Sequence, residues 1–398
     1  MNLLPSKQRP RNAASKKVVL VAFYAVFLAV VTASIAFFGW TVTWKFLGVP
    51  AMEPYFADLR TIQGAIASDA LGLNPQVTNP GDPWDRKMNY PLIWLTVAQA
   101  LQLNNELHFL VFGMVIVATF IGASFYLLYR FKSTFLLACL LSGSTLLALE
   151  RGNNDLIVFA LVFLFALISS RWGMAYLAIA TSAKLYAFLA LVGGNPRRSQ
   201  LASIFGLQII ALLILLPQIS DISSGNTATG VLSYGLLTTV SIATDLLQGL
   251  ELSFITDVAL VILLITSVIV ILLIAKKFTR VPKTAALLEI EETKRRFFLA
   301  GAGIYCGTYL VTSSWDYRLI FLVFCIPFLQ SVGGVLYSKV LPVLILLTMN
   351  YFVLSMALPD QLAAAINQIS KTAAFLMLAS LVVTLFIGKE GLLYRLYR

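Results

Sequence analysis

The residues able to do chemistry in this chain are few and fall in four places. Asp58 follows Pro54-Tyr55-Phe56-Ala57 at the start of a semi-apolar stretch, in a segment that also carries Glu53, Asp69, Asp82 and Asp85. An apolar approach of this kind partly desolvates a carboxylate and makes it a better proton acceptor; the other reading is a helix-capping Asp. A second cluster, Glu150-Arg151-Gly152-Asn153-Asn154-Asp155, lies between two apolar blocks. Arg151 and Asp155 are four apart and would pair on one helical face; the other reading is a solvated turn, for which Gly and Asn are ordinary residues. Lys184 stands inside a run of Ala, Ile, Leu and Phe. An ammonium there calls for a carboxylate, a water-filled cavity or a ligand phosphate, and snorkelling to the interface fits less well in mid-segment. The fourth cluster is Thr312-Ser313-Ser314-Trp315-Asp316-Tyr317-Arg318. Its Arg fork suits bidentate phosphate binding, or else Asp316 and Arg318 form a surface pair beside an interfacial aromatic belt. His108, the one histidine, opens an apolar block and reads as an interfacial residue.

Something must hold these groups, and composition says what. Of the 398 residues 59% are hydrophobic and 12% charged, and the mean hydropathy is +0.86. A soluble enzyme and a disordered chain are both excluded. The expected fold is all-α, a polytopic transmembrane bundle of about 10–12 spans with half-inserted and interfacial helices. Residues 1–17 form a basic cytoplasmic tail, 18–388 a single membrane domain, and 389–398 a second cytoplasmic tail. Spans are expected near 18–40, 108–129, 133–149, 154–170, 200–219, 257–275, 297–313, 317–334, 339–358 and 372–388. Surface or half-inserted helices are expected over 53–70 and 91–103. Residues 172–193 are flanked by Arg on both sides, which fits two half-helices returning to one side or a single tilted span.

The net charge of +11 is distributed in short basic clusters between apolar blocks. That is the positive-inside pattern, not a nucleic-acid surface, and it puts both termini in the cytoplasm; a plasma membrane is the expected location, and an endoplasmic reticulum protein would have the same topology. The loops at 41–107 and 220–256 then face outward with nine of the 18 acidic residues. Cys139, Cys306 and Cys325 lie in apolar segments without ligand spacing, so neither a disulfide framework nor a zinc site is expected. No nucleotide-binding or hydrolase motif is present.

Several of these motifs together resemble a known class. Asp58-Leu59-Arg60, then Asp82-Pro83-Trp84 and Asn89-Tyr90-Pro91, then Gly152-Asn153-Asn154-Asp155 and Lys184-Leu185-Tyr186-Ala187, resemble the multi-pass C-type glycosyltransferases. The nearest likeness is the membrane mannosyltransferase family that includes the phosphatidylinositol-mannoside enzymes. Leu92, Asn153 and Ala187 depart from that family's pattern, which has Pro, Gln and Pro there. The resemblance implies a polyprenyl-phosphate sugar donor, mannose favoured, and a lipid or glycan acceptor on the outer face. It implies inversion at the anomeric carbon, with Asp58 as general base and charge neutralisation of the phosphate by Lys184, Arg318 and Arg151. Asn89, Tyr90, Asn154, Asp155, Asp316 and Tyr317 would hold sugar or acceptor hydroxyls. No nucleotide or metal is required, although a divalent ion bridging Asp58 or Asp155 to the phosphate is compatible with the scheme. The rival reading is a transporter or flippase for a lipid-linked or anionic solute, which predicts an internal repeat; none is visible.

Overall fold

A computed structural model of the chain describes residues 11–193, 201–218, 230–247, 287–311 and 313–387, with scattered positions between 262 and 273. The span expected over 257–275, much of the second outward loop and most of both tails lie outside the described residues.

The described chain is helical, with one short two-stranded sheet. Its helices are α1 (Arg11–Phe38), α2 (Trp40–Phe46), α3 (Ala57–Ala70), α4 (Ile93–Ala100), α5 (Glu106–Phe131), α6 (Thr134–Leu140), α7 (Gly143–Arg151), α8 (Asp155–Leu167), α9 (Arg171–Ala183) and α10 (Leu201–Leu215). After strand β1 (Ser233–Tyr234) come α11 (Leu236–Leu247), α12 (Glu292–Val311) and strand β2 (Ser314–Trp315). The chain closes with α13 (Ile326–Leu329), α14 (Leu341–Met349), α15 (Tyr351–Ala357) and α16 (Asp360–Ile387). The surface helices expected over 53–70 and 91–103 are α3 and α4.

Three described helices are long and apolar enough to cross a membrane, Lys17–Phe38, Glu106–Phe131 and Asp360–Phe386. Counting two bent pairs, α6 with α7 (41°) and Leu336–Met349 with α15 (80°), as one span each raises this to five. Exposed Val18, Val19, Phe23, Val26 and Val30 on α1 are the kind of outward apolar surface a membrane protein presents. Among the described residues, the other apolar segments expected to span are shorter or irregular helices. Helix α8 has 13 residues, about 20 Å, against the roughly 30 Å of a bilayer core. The span expected from residue 317 begins as a 3₁₀ helix, Asp316–Cys325. Apolar runs that looked continuous are broken where polar side chains must be placed.

Residues 172–193 are a helical hairpin. Helix α9 ends at Lys184, whose backbone is extended (φ −151°, ψ 120°), and the chain returns as a 3₁₀ helix, Leu185–Gly193. Gly193 packs against the backbone of Arg296 and Ala300 with no room for a Cβ. Arg296 Nη2 donates to the carbonyls of Phe165 and Ile168, at 2.7 and 2.9 Å, and those carbonyls also crowd Gly173. Both ends of the hairpin therefore meet at the level of Arg296, and its tip, Lys184, reaches the far end of α8. The two-half-helix alternative holds.

The first loop is fastened to the bundle by Phe56. Its backbone is left-handed (φ 57°), a conformation that disfavours a side chain by roughly 1–2 kcal/mol. Packing holds it there: Trp40 meets the ring edge-on at 5.1 Å, and Gly152 and Gly113 lie flush against it. Gly152 is itself left-handed (φ 57°), and a Cβ on it would meet the ring at 2.8 to 3.0 Å. Gly152→Ala should therefore cost about 2–4 kcal/mol of stability, from backbone strain and overpacking together. A thermal melt in detergent checks this against Gly122→Ala, where a Cβ meets nothing within 4 Å and the melting temperature should not fall.

Candidate active site

Helix α3, the α7–α8 turn, the hairpin tip and the strand pair converge at one end of the bundle on a cavity of about 470 Å³. The α3 wall is built by close backbone approach. Gly64 lies against Gly81, where neither position admits a Cβ, and Asn79 Nδ2 donates to the Thr61 carbonyl at 3.0 Å. This sets Asp82, which is buried, to accept from Thr61 Oγ1 at 3.1 Å and from Arg86 Nε and Nη2 at 3.0 and 2.9 Å. The same guanidinium donates to the Ala57 carbonyl at 2.5 Å and from Nη1 to Asp58 Oδ1 at 3.3 Å.

Asp58 lines the cavity with 14% of its side chain exposed. It does not cap α3; the cap position is Phe56, which makes no side-chain cap bond. Asp58 Oδ2 instead accepts from Asn153 Nδ2 at 2.6 Å. Arg86, Lys87 and Arg151 share the cavity wall with it, as do Asn89, Tyr90, Trp315 and Tyr317. Behind the lining, Asp82 pairs with Arg86 and Glu150 with Arg151, so Arg86, Lys87 and Arg151 stand against three carboxylates, of which only Asp58 faces the cavity. Burial, reinforced by the charge of Asp58, pushes the Tyr90 phenol well above its ordinary range, so it stays a neutral hydroxyl.

Behind this wall lies an ion cluster. Asp155 is fully buried at the start of α8. Lys184 Nζ is 2.5 Å from its Oδ1, and Arg318 Nε is 3.6 Å from its Oδ2. Arg318 also donates to Ser314 Oγ at 2.7 Å and stacks on the Tyr186 ring at 4.1 Å. Lys184 Nζ sits 4.8 Å from the Tyr90 ring centroid, between the cluster and the cavity. Of the three partners a lysine here called for, it has found the carboxylate.

The opposite wall depends on a second buried pair. Lys371 Nζ is 2.9 Å from Asp316 Oδ1 and also donates to the carbonyls of Val231 and Ser233, at 3.2 and 3.0 Å. Strands β1 and β2 pair antiparallel beside it, Ser233 with Trp315 and Tyr234 with Ser314, and this brings Leu232, Trp315 and Tyr317 to the cavity.

Of the expected site residues, Asp58, Arg151, Asn89, Tyr90 and Tyr317 meet at the cavity. Lys184, Arg318 and Asp155 come together one layer deeper. Asp316 is held by Lys371, and Asn154 is buried with neither side-chain atom hydrogen-bonded. Two expected pairings do not form. Arg151 and Asp155 cannot share a helical face because the left-handed Gly152 breaks the helix between them. Arg151 Nε instead lies 3.1 Å from Glu150 Oε2, and its Nη2 donates to the Pro50 carbonyl at 3.0 Å. Asp316 and Arg318 turn to different partners because residues two apart point in different directions on a helix. His108 is exposed and away from the cavity. Arg86 and Asn153, the two side chains that hold Asp58, were not among the expected site residues. Only Asn153, inside the Gly152–Asp155 turn, carried a sequence signal. Among the described residues no three His, Cys, Asp or Glu side chains gather as a metal-ligand set.

No protein-family model matches the chain, and neither the curated proteins nor the solved structures contain a match to it.

The ion cluster makes an ordering testable. Asp155→Asn leaves two buried cations without their counter-charge and should cost about 3–5 kcal/mol. Lys184→Met leaves Arg318 and Asp155 as a neutral pair and should cost clearly less. Melting temperatures of the two variants in detergent check this, and a larger loss for Lys184→Met would contradict the shared-carboxylate arrangement.

Proposed function

We propose that the protein is an integral membrane glycosyltransferase that moves a hexose, mannose favoured, from a polyprenyl-phosphate donor to a hydroxyl of a lipid or glycan acceptor. One observation carries the reading: Asp58 is the one carboxylate in a cavity lining whose other charged residues are Arg86, Lys87 and Arg151, at one end of an apolar helical bundle. Inverting transfer to a hydroxyl from a phosphate-linked sugar needs that set. Asp58 takes the proton of the acceptor hydroxyl as its oxygen bonds to the anomeric carbon. The bond from that carbon to the phosphate oxygen breaks, and the electron pair leaves with the phosphate. A phosphate leaves without a protonating acid but needs its charge neutralised, so one carboxylate suffices where a glycosidase would need two.

Arg151 is placed for that neutralisation at the cavity wall. Lys184 and Arg318, held on Asp155 beneath it, supply a fixed positive field rather than direct contacts. Asn89, the neutral Tyr90 hydroxyl and Tyr317 can bond sugar or acceptor hydroxyls. The Asp58, Asn89-Tyr90-Pro91, Gly152–Asp155 and Lys184 motifs support the same reading by their resemblance to polyprenyl-dependent mannosyltransferases. A polyprenyl tail also explains why a group-transfer site would be carried by so apolar a chain. The reading places this end of the bundle at the outer face of the plasma membrane, with both termini cytoplasmic.

Purified protein in detergent, given synthetic polyprenyl-phosphate mannose and a membrane lipid extract, should release free polyprenyl phosphate. Asp58→Asn should reduce the rate by about 10²–10⁴-fold, the range typical of a lost general base. Equal release by both proteins would remove Asp58 from the chemistry.

A further inference from the structure

Asn153 stands between the carboxylate at the cavity and the buried ion cluster, and its amide has only one workable orientation. Its Oδ1 accepts from the Asp155 backbone N–H at 2.8 Å and from Lys184 Nζ at 3.4 Å. Both neighbours are donors, so the amide oxygen must lie on that side and Nδ2 on the other, 2.6 Å from Asp58 Oδ2. An amide N–H donates and never accepts, so the contact is a hydrogen bond from Asn153 to the carboxylate oxygen. The flip that usually leaves an Asn ambiguous would here set N–H against N–H and oxygen against oxygen. Asn153 is itself fully buried and belongs to a turn clamped by Phe56 against Gly152, so it is a rigid support.

We propose that Asn153 is the positioning residue for Asp58, fixing the Oδ2 side of the carboxylate so that its remaining lone pairs face the cavity. Arg86 plays the corresponding part at Oδ1. The proposal rests on the reading of Asp58 as the reactive carboxylate, but its geometry can be tested apart from turnover. The charged and titratable groups around Asp58 are Arg86 and Asp82 of the first loop, Lys87 and Tyr90 beside them, Glu150 and Arg151 at the end of α7, and Tyr317 across the cavity. Asp155 and Lys184 lie behind Asn153.

Asn153→Asp keeps the shape of the side chain and puts a carboxylate oxygen where the donor stood. Two carboxylates in such contact cannot both ionise and share a proton. In detergent, carbodiimide labelling of Asp58 can be followed against pH by mass spectrometry for wild type, Asn153→Asp and Asn153→Ala, each shown to be folded by a cooperative melt. The pH of half-maximal labelling should rise by about one unit or more in Asn153→Asp, and in the same direction but less in Asn153→Ala. Midpoints equal to wild type in the folded variants would overturn the proposal, and Asn153→Ala decides it alone if Asn153→Asp does not fold. With polyprenyl-phosphate mannose as donor, the acid limb of the kcat profile should move by the same amount while the donor KM stays within about twofold, a split expected of lost positioning rather than lost binding. A shifted labelling midpoint without turnover by wild type would keep Asn153 as the support of Asp58 and remove the glycosyl-transfer reading. Turnover that needs Asp58, with Asn153 variants whose pH profiles match wild type, would do the reverse.

Discussion

Two cations drawn into an apolar bundle must find negative charge there, and Asp155 provides it for both. Its carboxylate sits where α8 begins, so the hairpin tip carrying Lys184 and the 3₁₀ helix carrying Arg318 are pulled to the same point. Three separate segments are thereby registered against one another at one end of the molecule. Helix α8 starts at Asp155, α9 ends at Lys184 and the 3₁₀ helix of Arg318 starts at Asp316, so the polar side chains of this layer stand at helix ends. The cluster sets two cations, Lys184 and Arg318, against Asp155 beneath a cavity whose wall balances Arg86, Lys87 and Arg151 against Asp58, Asp82 and Glu150.

From this layer the order of contacts runs outward to Asp58, the carboxylate at the cavity. Asp155 donates its backbone N–H to Asn153, Asn153 donates to Asp58, and Asp58 is completed by Arg86, which Asp82 grips from the far side. Asp58 thus belongs to the first loop by sequence but is oriented by the bundle. Phe56, wedged against Gly113 and Gly152, makes the attachment mechanical as well as electrostatic. A carboxylate held at both oxygens gives up little freedom when a substrate arrives, which is what preorganisation for proton transfer requires.

Much of this was open to inspection in the chain before any coordinates. Hydropathy identified the helical class, α3 and α4 were readable as short helices, and the Arg-flanked 172–193 segment contained its own hairpin alternative. Lys184 announced that it needed a partner. Which partner was not readable, because Asp155 lies 29 positions away and nothing local links them. Spacing instead favoured Arg151 with Asp155, an inference that holds only if the helix runs on, and a left-handed glycine ends it. Arg86 escaped notice because a loop arginine beside several acids looks like ordinary surface polarity; its task appears only when Gly64 and Gly81 bring the loop onto α3. Hydropathy registers apolar content and not where a helix breaks, which is why the bends between α6 and α7 and before α15 were not readable in the sequence.

The central claim is that Asp58 and Arg151 work on opposite sides of one phosphate-linked sugar held in the cavity. The most direct measurement is a structure of the protein with a non-hydrolysable polyprenyl phosphonate analogue of the donor. The account predicts the phosphonate against Arg151 and the anomeric carbon turned toward Asp58, with room between them for an acceptor hydroxyl. A phosphonate lying beside Asp58, or a head group bound outside the cavity, would contradict it.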